Sequence, residues 1–142
     1  MTPYNPVTAD PYLLQSTLGY RVTEWEVGRA VIELPLTQLH KNRNNIPHGG
    51  IYALLLDSVC GFCGTCQGPD MDSRTAVTLS LDCKFISLPK GDILIATGRK
   101  LGGGARSFFA EGMVHDETGH LIATGQAALQ YRARPSSSEA KS

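Results

Sequence analysis

The chain has 142 residues, and its 13 basic side chains balance 13 acidic ones. That length suits one domain, burying somewhat under ~70% of its unfolded surface, and is too short for two ordinary ones. No basic run interleaved with aromatics occurs, which argues against nucleic acid or an anionic membrane as the main partner. The start, Met-Thr-Pro-Tyr-Asn-Pro, has neither a basic stretch nor an apolar run, so the expectation is no signal peptide, no membrane span and a cytoplasmic location.

Residues 1 to 7 carry prolines and are expected to be loose, with a short helix over 8 to 18 opened by Thr8 or Asp10. A hairpin follows, in which Tyr20 to Val27 and Arg29 to Leu36 flank Gly28. Within it Ala30, Ile32, Leu34 and Leu36 alternate with Val31, Glu33 and Pro35, as a half-buried strand does. After a polar loop from Thr37 to Pro47, a long helix is predicted from about His48 to Gln67, stopped by Gly68-Pro69. The period then becomes two, with Val77, Leu79, Leu81, Cys83 and Phe85 on one face and Thr78, Ser80, Asp82 and Lys84 on the other.

Three turns, at Pro89-Lys90-Gly91-Asp92, Gly102-Gly103-Gly104 and Asp116-Glu117-Thr118-Gly119, introduce strands over Ile93 to Leu101, Arg106 to His115 and His120 to Tyr131. Connections of hairpin length make these strands antiparallel neighbours. The polar tail from Arg132, with Pro-Ser-Ser-Ser, reads as disordered. One apolar helix among strands must be covered by one sheet. The expectation is therefore an α+β fold, an antiparallel sheet wrapped around one long central helix, in a single domain over 1-142 with a core of about 15-131. The sheet's exposed edges favour pairing with another copy.

Three of the four cysteines, Cys60, Cys63 and Cys66, fall within the predicted helix, and Cys83 falls in a strand. Successive thiols of Cys-x-x-Cys-x-x-Cys drift by about 60° around a helix, and no second Cys or Cys/His pair accompanies them. They read as small buried hydrophobes with reduced thiols, and no metal site is expected.

The chemistry concentrates in Asn-Arg-Asn-Asn-Ile-Pro-His-Gly-Gly-Ile-Tyr-Ala-Leu-Leu-Leu-Asp, which spans Asn42 to Asp57. A helix starting near His48 with Gly49 and Gly50 in its first turn leaves backbone N-H groups unshielded, open to a ligand oxygen. Helical spacing puts Gly49, Ala53, Asp57, Cys60, Gly61 and Gly64 along one stripe on which Asp57 alone is charged. A carboxylate there is pressed against a neighbouring backbone or a ligand, which makes Asp57 a candidate general base or nucleophile. The bland alternatives are a loop cap or ion pair for Asp57 and a tight turn for His-Gly-Gly. Eight residues at about 1.5 Å each separate Gly49 from Asp57 by roughly 12 Å, so one carbonyl cannot meet both. If both serve one reaction they come from two chains, as a two-fold dimer with antiparallel helices would arrange.

These residues resemble the hotdog-fold acyl-CoA thioesterases, specifically the phenylacetate-degradation type within the 4-hydroxybenzoyl-CoA thioesterase superfamily. The resemblance covers residues 15 to 131 and is anchored by Asn42, His48-Gly49-Gly50 and Asp57. Ala76-Val77-Thr78-Leu79-Ser80-Leu81 and Asp116-Glu117-Thr118-Gly119-His120-Leu121-Ile122-Ala123 support it. It implies a dimer of hotdogs, often paired into a tetramer, that hydrolyses an acyl-CoA to free acid and coenzyme A at sites across the dimer interface.

By resemblance the Gly49 N-H polarises the thioester carbonyl and the partner subunit's Asp57 acts as base or nucleophile. Asn42 helps hold the water, and His48 and Gly50 shape the carbonyl site. Thr78 matches a position where the family often has a hydroxyl that assists the water. Its strand phase puts it opposite the Leu79 face, so the role requires a local bulge if that face meets the helix.

The candidate clamp for coenzyme A phosphates is the hairpin from Arg99 to Arg106, through Arg99, Lys100, Gly103 and Arg106. No cofactor is expected, since coenzyme A enters as part of the substrate. Arg43, Tyr52 and the helix cysteines depart from the family pattern, and the first two are expected to narrow the acyl pocket. Two alternatives are a hotdog hydratase or dehydratase using His48, and a non-catalytic acyl-CoA sensor, which would gain nothing from Asp57.

Overall fold

The computed structural model describes residues 2–133. In chain order it contains α1 (Leu13–Leu18), β1 (Arg21–Glu26), β2 (Arg29–Pro35), a 3-10 turn (Gln38–His40), α2 (Gly49–Cys63), β3 (Ala76–Phe85), β4 (Ile93–Gly103), β5 (Ser107–Asp116) and β6 (Leu121–Tyr131). The six strands form one antiparallel sheet in the order β1-β2-β4-β5-β6-β3, which leaves β3 at an edge. The sheet wraps α2, the α+β hotdog arrangement that the resemblance implies. The tail from Arg132, expected to be disordered, lies outside the described residues from 134 onward.

Helical periodicity sends Tyr52, Leu55, Leu56, Val59, Cys60 and Cys63 from α2 into the core, against Ile32, Leu34, Leu94, Phe108, Val114 and Leu129 of the sheet. The helix sits close on the sheet because the strands put small residues beneath it. In register across the sheet lie Ala30, Gly98, Gly112, Gly125 and Cys83. A Cβ on Gly98 would stand 2.4 Å from the Val59 carbonyl oxygen, and one on Gly112 would stand 3.0 Å from a Leu56 methyl. Glycine inside a strand is the sequence signal for such a close approach.

Two helices are shorter than the sequence suggests. Asp10 precedes Pro11 and so disfavours helical backbone, and α1 begins only at Leu13. The N-terminal segment, expected to be loose, turns at Asn5, whose carbonyl accepts from Thr8 N and Ala9 N. At the other boundary α2 ends at Cys63 rather than at Gln67. The Phe62 carbonyl, which would accept from residue 66 in a continuing helix, instead accepts from Trp25 Nε1 (3.0 Å), Thr65 N (3.2 Å) and Thr65 Oγ1 (3.0 Å). The Phe108 ring also crowds Gly64, leaving no room for a side chain there. Cys66 therefore lies beyond the helix.

Asp116 ties two connections together from a buried position. Its Oδ2 accepts from Lys90 N (2.7 Å) and Gly91 N (2.9 Å), and its Oδ1 accepts from Thr118 Oγ1, Thr118 N and His120 N. The Thr118 hydroxyl, with the backbone N-H groups of Gly91, Lys90 and His120, outweighs burial and holds this carboxyl well below the usual carboxylate range.

Two measurements check this fold. Gly98→Ala forces a methyl against helix backbone and is expected to lower unfolding stability by about 1–3 kcal/mol in denaturant titration. Gly102→Ala, with open space around it, is expected to change stability by under about 0.5 kcal/mol. For Asp116, a carboxyl whose folded pKa is depressed contributes stability above its ordinary value of 3.8 and loses that contribution as pH falls through its lower folded value. Asp116→Asn is therefore expected to lower Tm most at neutral pH, with the gap to wild type narrowing as the buffer is taken below about pH 4. A gap independent of pH contradicts the assignment.

Candidate functional site

The N-terminus of α2 is held by histidines on both sides. His48 is extended (φ −63°, ψ 135°), and its Nδ1 accepts from Gly50 N at 2.8 Å. Ile51 N donates to the His48 carbonyl at 2.9 Å, which leaves the Gly49 N-H without a partner among the described residues. The N-H of Gly50, a second expected donor, is thus used internally. So is the His48 Nδ1 lone pair.

Packing shows why position 49 is glycine. A Cβ there would stand 2.8 Å from the Phe85 ring, which also meets Tyr52 edge-on with centroids 5.5 Å apart. Tyr52, expected to narrow the acyl pocket, is instead part of the core, and its hydroxyl has no partner among the described residues. Arg43 is exposed on the entry loop.

That loop is closed by a Lys41–Pro47 bridge, by Asn42 N donating to Ile46 O, and by Asn44 N donating to Asn42 Oδ1. One end of the Asn42 side chain is therefore engaged in loop closure, and its amide Nδ2 remains free among the described residues. Below it lies His40, which the sequence reading missed. His40 is buried and receives Thr37 N on Nδ1 at 2.9 Å, so Nε2 carries the proton and donates to Leu18 O at 2.6 Å. The His40 carbonyl accepts His48 N, which links α1 to the start of α2. Thr37 three residues before His40, at capping-box spacing, was the available signal.

Two turns further along α2, Asp57 Oδ1 accepts from Thr78 Oγ1 at 2.6 Å. This contact exists because β3 carries a bulge. Thr78 pairs with Leu129 and Ser80 with Ala128, so Leu79 opposes nothing. The extra residue reverses the strand's phase, turning Thr78 to the face that Leu81 and Cys83 present to the core. The uninterrupted alternation from Val77 to Phe85 is corrected accordingly, and Val77 (44%) and Leu79 (61%) are exposed. Asp57 Oδ2 has no partner among the described residues. Beside it opens a cavity of about 560 Å³, whose walls include Ser58, Phe62, Thr78, Leu129, Tyr4 and Tyr12.

The hairpin cations do not converge, because successive strand residues point to opposite faces. The exposed Arg99 guanidinium is paired with Glu111 at 2.5 Å, whereas Lys100 Nζ lies 3.3 Å from the Tyr131 hydroxyl. Gly103 has φ 149°, and a Cβ there would meet Ser107 O at 2.4 Å, so its glycine is required by the turn itself. Arg106 is exposed and accepts Tyr131 N on its carbonyl. An unforeseen cation, Arg74, stacks over the Tyr131 ring at 3.5 Å and donates to Ala105 O at 2.9 Å.

Other reactive groups are accounted for by packing. Ser87 Oγ lies 2.8 Å from His120 Nε2 but donates its proton to Leu121 O, so the imidazole does not activate it as a base. Burial pushes the Cys60 and Cys63 thiols up to about 12, where they are inert at neutral pH. Among the described residues no group of three His, Cys, Asp or Glu is placed to hold a metal. No helix among them is long and apolar enough to cross a membrane.

A family model described as the thioesterase superfamily matches residues 44–123, from the helix entry loop into β6. No curated protein matches the chain. Among solved structures, a conserved protein from Pseudomonas aeruginosa is 26% identical with a TM-score of 0.76, covering 86% of this chain and 95% of that one. A Bacillus halodurans protein solved with CoA is 32% identical with a TM-score of 0.74, covering 85% of this chain and 80% of that one. The PaaI protein of the phenylacetic acid degradation operon of E. coli shares the fold at 18% identity, with a TM-score of 0.76 and 84% of each chain covered.

Proposed function

The chain belongs to the thioesterase superfamily, and from that premise we propose that it hydrolyses an acyl-CoA thioester to free acid and coenzyme A. The observation that carries this reading is the hydrogen bond from Thr78 Oγ1 to Asp57 Oδ1. It fixes one carboxylate oxygen and leaves Oδ2 of a residue that lines a cavity as the acceptor for a proton from water. The CoA bound in the Bacillus halodurans relative supports coenzyme A as the thiol half of the substrate.

The Gly49 N-H, unpaired at the positive end of α2, is the donor that polarises the thioester carbonyl. It lies roughly 12 Å along the helix from Asp57 of the same chain, so the carboxylate that meets this carbonyl is the partner subunit's Asp57. Two copies brought together along the β3 edge complete two such sites. The exposed Val77, Leu79, Phe85, Ile86 and Leu88 on and after that strand supply apolar surface for the contact.

In the reaction, a water oxygen bonds to the carbonyl carbon while the partner subunit's Asp57 takes its proton. Negative charge develops on the carbonyl oxygen facing the Gly49 N-H. The carbon–sulfur bond then breaks, and the departing sulfur leaves as coenzyme A thiol after receiving a proton from Asp57. The free Nδ2 of Asn42, at the Gly49 end of the molecule, is a donor for the water or the carbonyl. Arg106 is the hairpin cation without a side-chain partner among the described residues, and it serves a coenzyme A phosphate.

The test is thiol release from aryl, short-chain and long-chain acyl-CoAs by the wild type and by Asp57→Ala. The variant is expected to keep its fold and to lose about two orders of magnitude or more in kcat on the best substrate. Undiminished turnover by the variant overturns the assignment of Asp57.

A further inference from the structure

The cavity beside Asp57 is lined in part by residues far from it in sequence. Tyr4 and Tyr12 of the N-terminal segment line it together with Ser58 and Phe62 of α2. Both rings are about half exposed, at 54% and 52%, although each is a large apolar surface. Their positions are built into the fold. The segment is turned by the Asn5 carbonyl and by Asn5 Oδ1, which accepts Val7 N at 2.9 Å.

Tyr12 is held more firmly than Tyr4. Its hydroxyl is hydrogen-bonded to that of Tyr20, and the two rings meet edge-to-face with centroids 6.4 Å apart. Tyr20 is a core residue and is 1% exposed. Swinging the Tyr12 ring away from the cavity therefore breaks a hydrogen bond to a buried hydroxyl, which is costly. Tyr12 is in this way tied to the core.

We propose that this N-terminal segment is the outer wall of the acyl cavity, with Tyr12, assisted by Tyr4, as the specificity-determining residue that limits the size of the acyl group. The inference rests on the reading of Asp57 as the reacting carboxylate. A thioester carbonyl at Asp57 places an adjoining part of the substrate in this cavity, and the Phe62, Leu129 and tyrosine surfaces suit its apolar acyl end. An acyl chain that outgrows the cavity meets the Tyr12 ring, which cannot yield without uncoupling Tyr20.

The experiment measures kcat/KM over acyl-CoAs of increasing chain length and compares the long-to-short ratio among variants of the full chain. Tyr4→Ala/Tyr12→Ala is expected to raise that ratio about tenfold or more, because the ring stop is gone. Tyr12→Trp, which enlarges the stop, is expected to lower it. Tyr12→Phe, which keeps the ring but frees it from Tyr20, is expected to raise it by less than the alanine pair.

Unchanged ratios, or rates that fall in parallel at every length, overturn the wall. Should the alanine pair fail to fold by circular dichroism, Tyr12→Phe and Tyr12→Trp decide by the same ratio. A wild type that releases no thiol from any acyl-CoA instead refutes the hydrolase reading. The wall is then read by calorimetric titration with non-hydrolysable CoA thioethers of the same lengths. A length cut-off that moves in these variants supports it, and one that stays put overturns it.

Discussion

The close seating of α2 on the sheet is the contact on which everything else depends. Where the Val59 carbonyl meets β4, a side chain on Gly98 would begin inside the helix backbone, and Gly112 and Gly125 continue the gap beneath Leu56. Helix and sheet thus meet at backbone distance. A helix seated this deeply has little freedom to slide or rotate, because core packing is dense and each shift costs contacts. The two groups proposed to act on the substrate, the Gly49 N-H and the Asp57 carboxylate, inherit that rigidity. A strand of larger residues at the same register would lift the helix and separate Asp57 from Thr78.

The second constraint is local. One extra residue, Leu79, turns Thr78 toward the helix and lets its hydroxyl hold Asp57 at 2.6 Å. The bulge lies on the edge strand, where an unpaired residue disturbs one neighbour only. The same edge carries exposed apolar side chains, so the feature that aims the carboxylate lies beside the surface proposed to meet a second copy. At the opposite end of α2, His48 caps Gly50 and spares Gly49. The free donor and the free acceptor are therefore both products of neighbouring hydrogen bonds that use up the competing groups.

Much of this was legible in the residues. Period-two alternation and the turn residues located β2 and β4 to β6 within two or three residues, and His-Gly-Gly marked the start of α2. The bulge was legible only as a condition, since Thr78 needed one to reach the helix and nothing in Val77 to Phe85 announced it. The early end of α2 was hidden because it is set by Trp25 and Phe108, residues distant in sequence that cap Phe62 and crowd Gly64. Arg99 to Arg106 read as one cluster along the chain, but alternation of strand side chains splits it, and the cation that stacks beside the hairpin, Arg74, comes from the loop before β3. Long-range contacts of this kind leave no local pattern.

The proposed reaction centre takes its N-H from one copy and its carboxylate from the other, and two variants combined test this directly. Asp57→Ala removes the carboxylate. Gly49→Pro removes the N-H at a first-turn position whose backbone suits proline after the extended His48, and its Cβ, 2.8 Å from the half-exposed Phe85 ring, displaces that ring. Each variant alone is expected to be inactive. After subunit exchange, half the dimers hold one chain of each kind with one intact site, so thiol release should return to about a quarter of the wild-type rate. Verified mixed dimers that remain inactive would contradict the shared site.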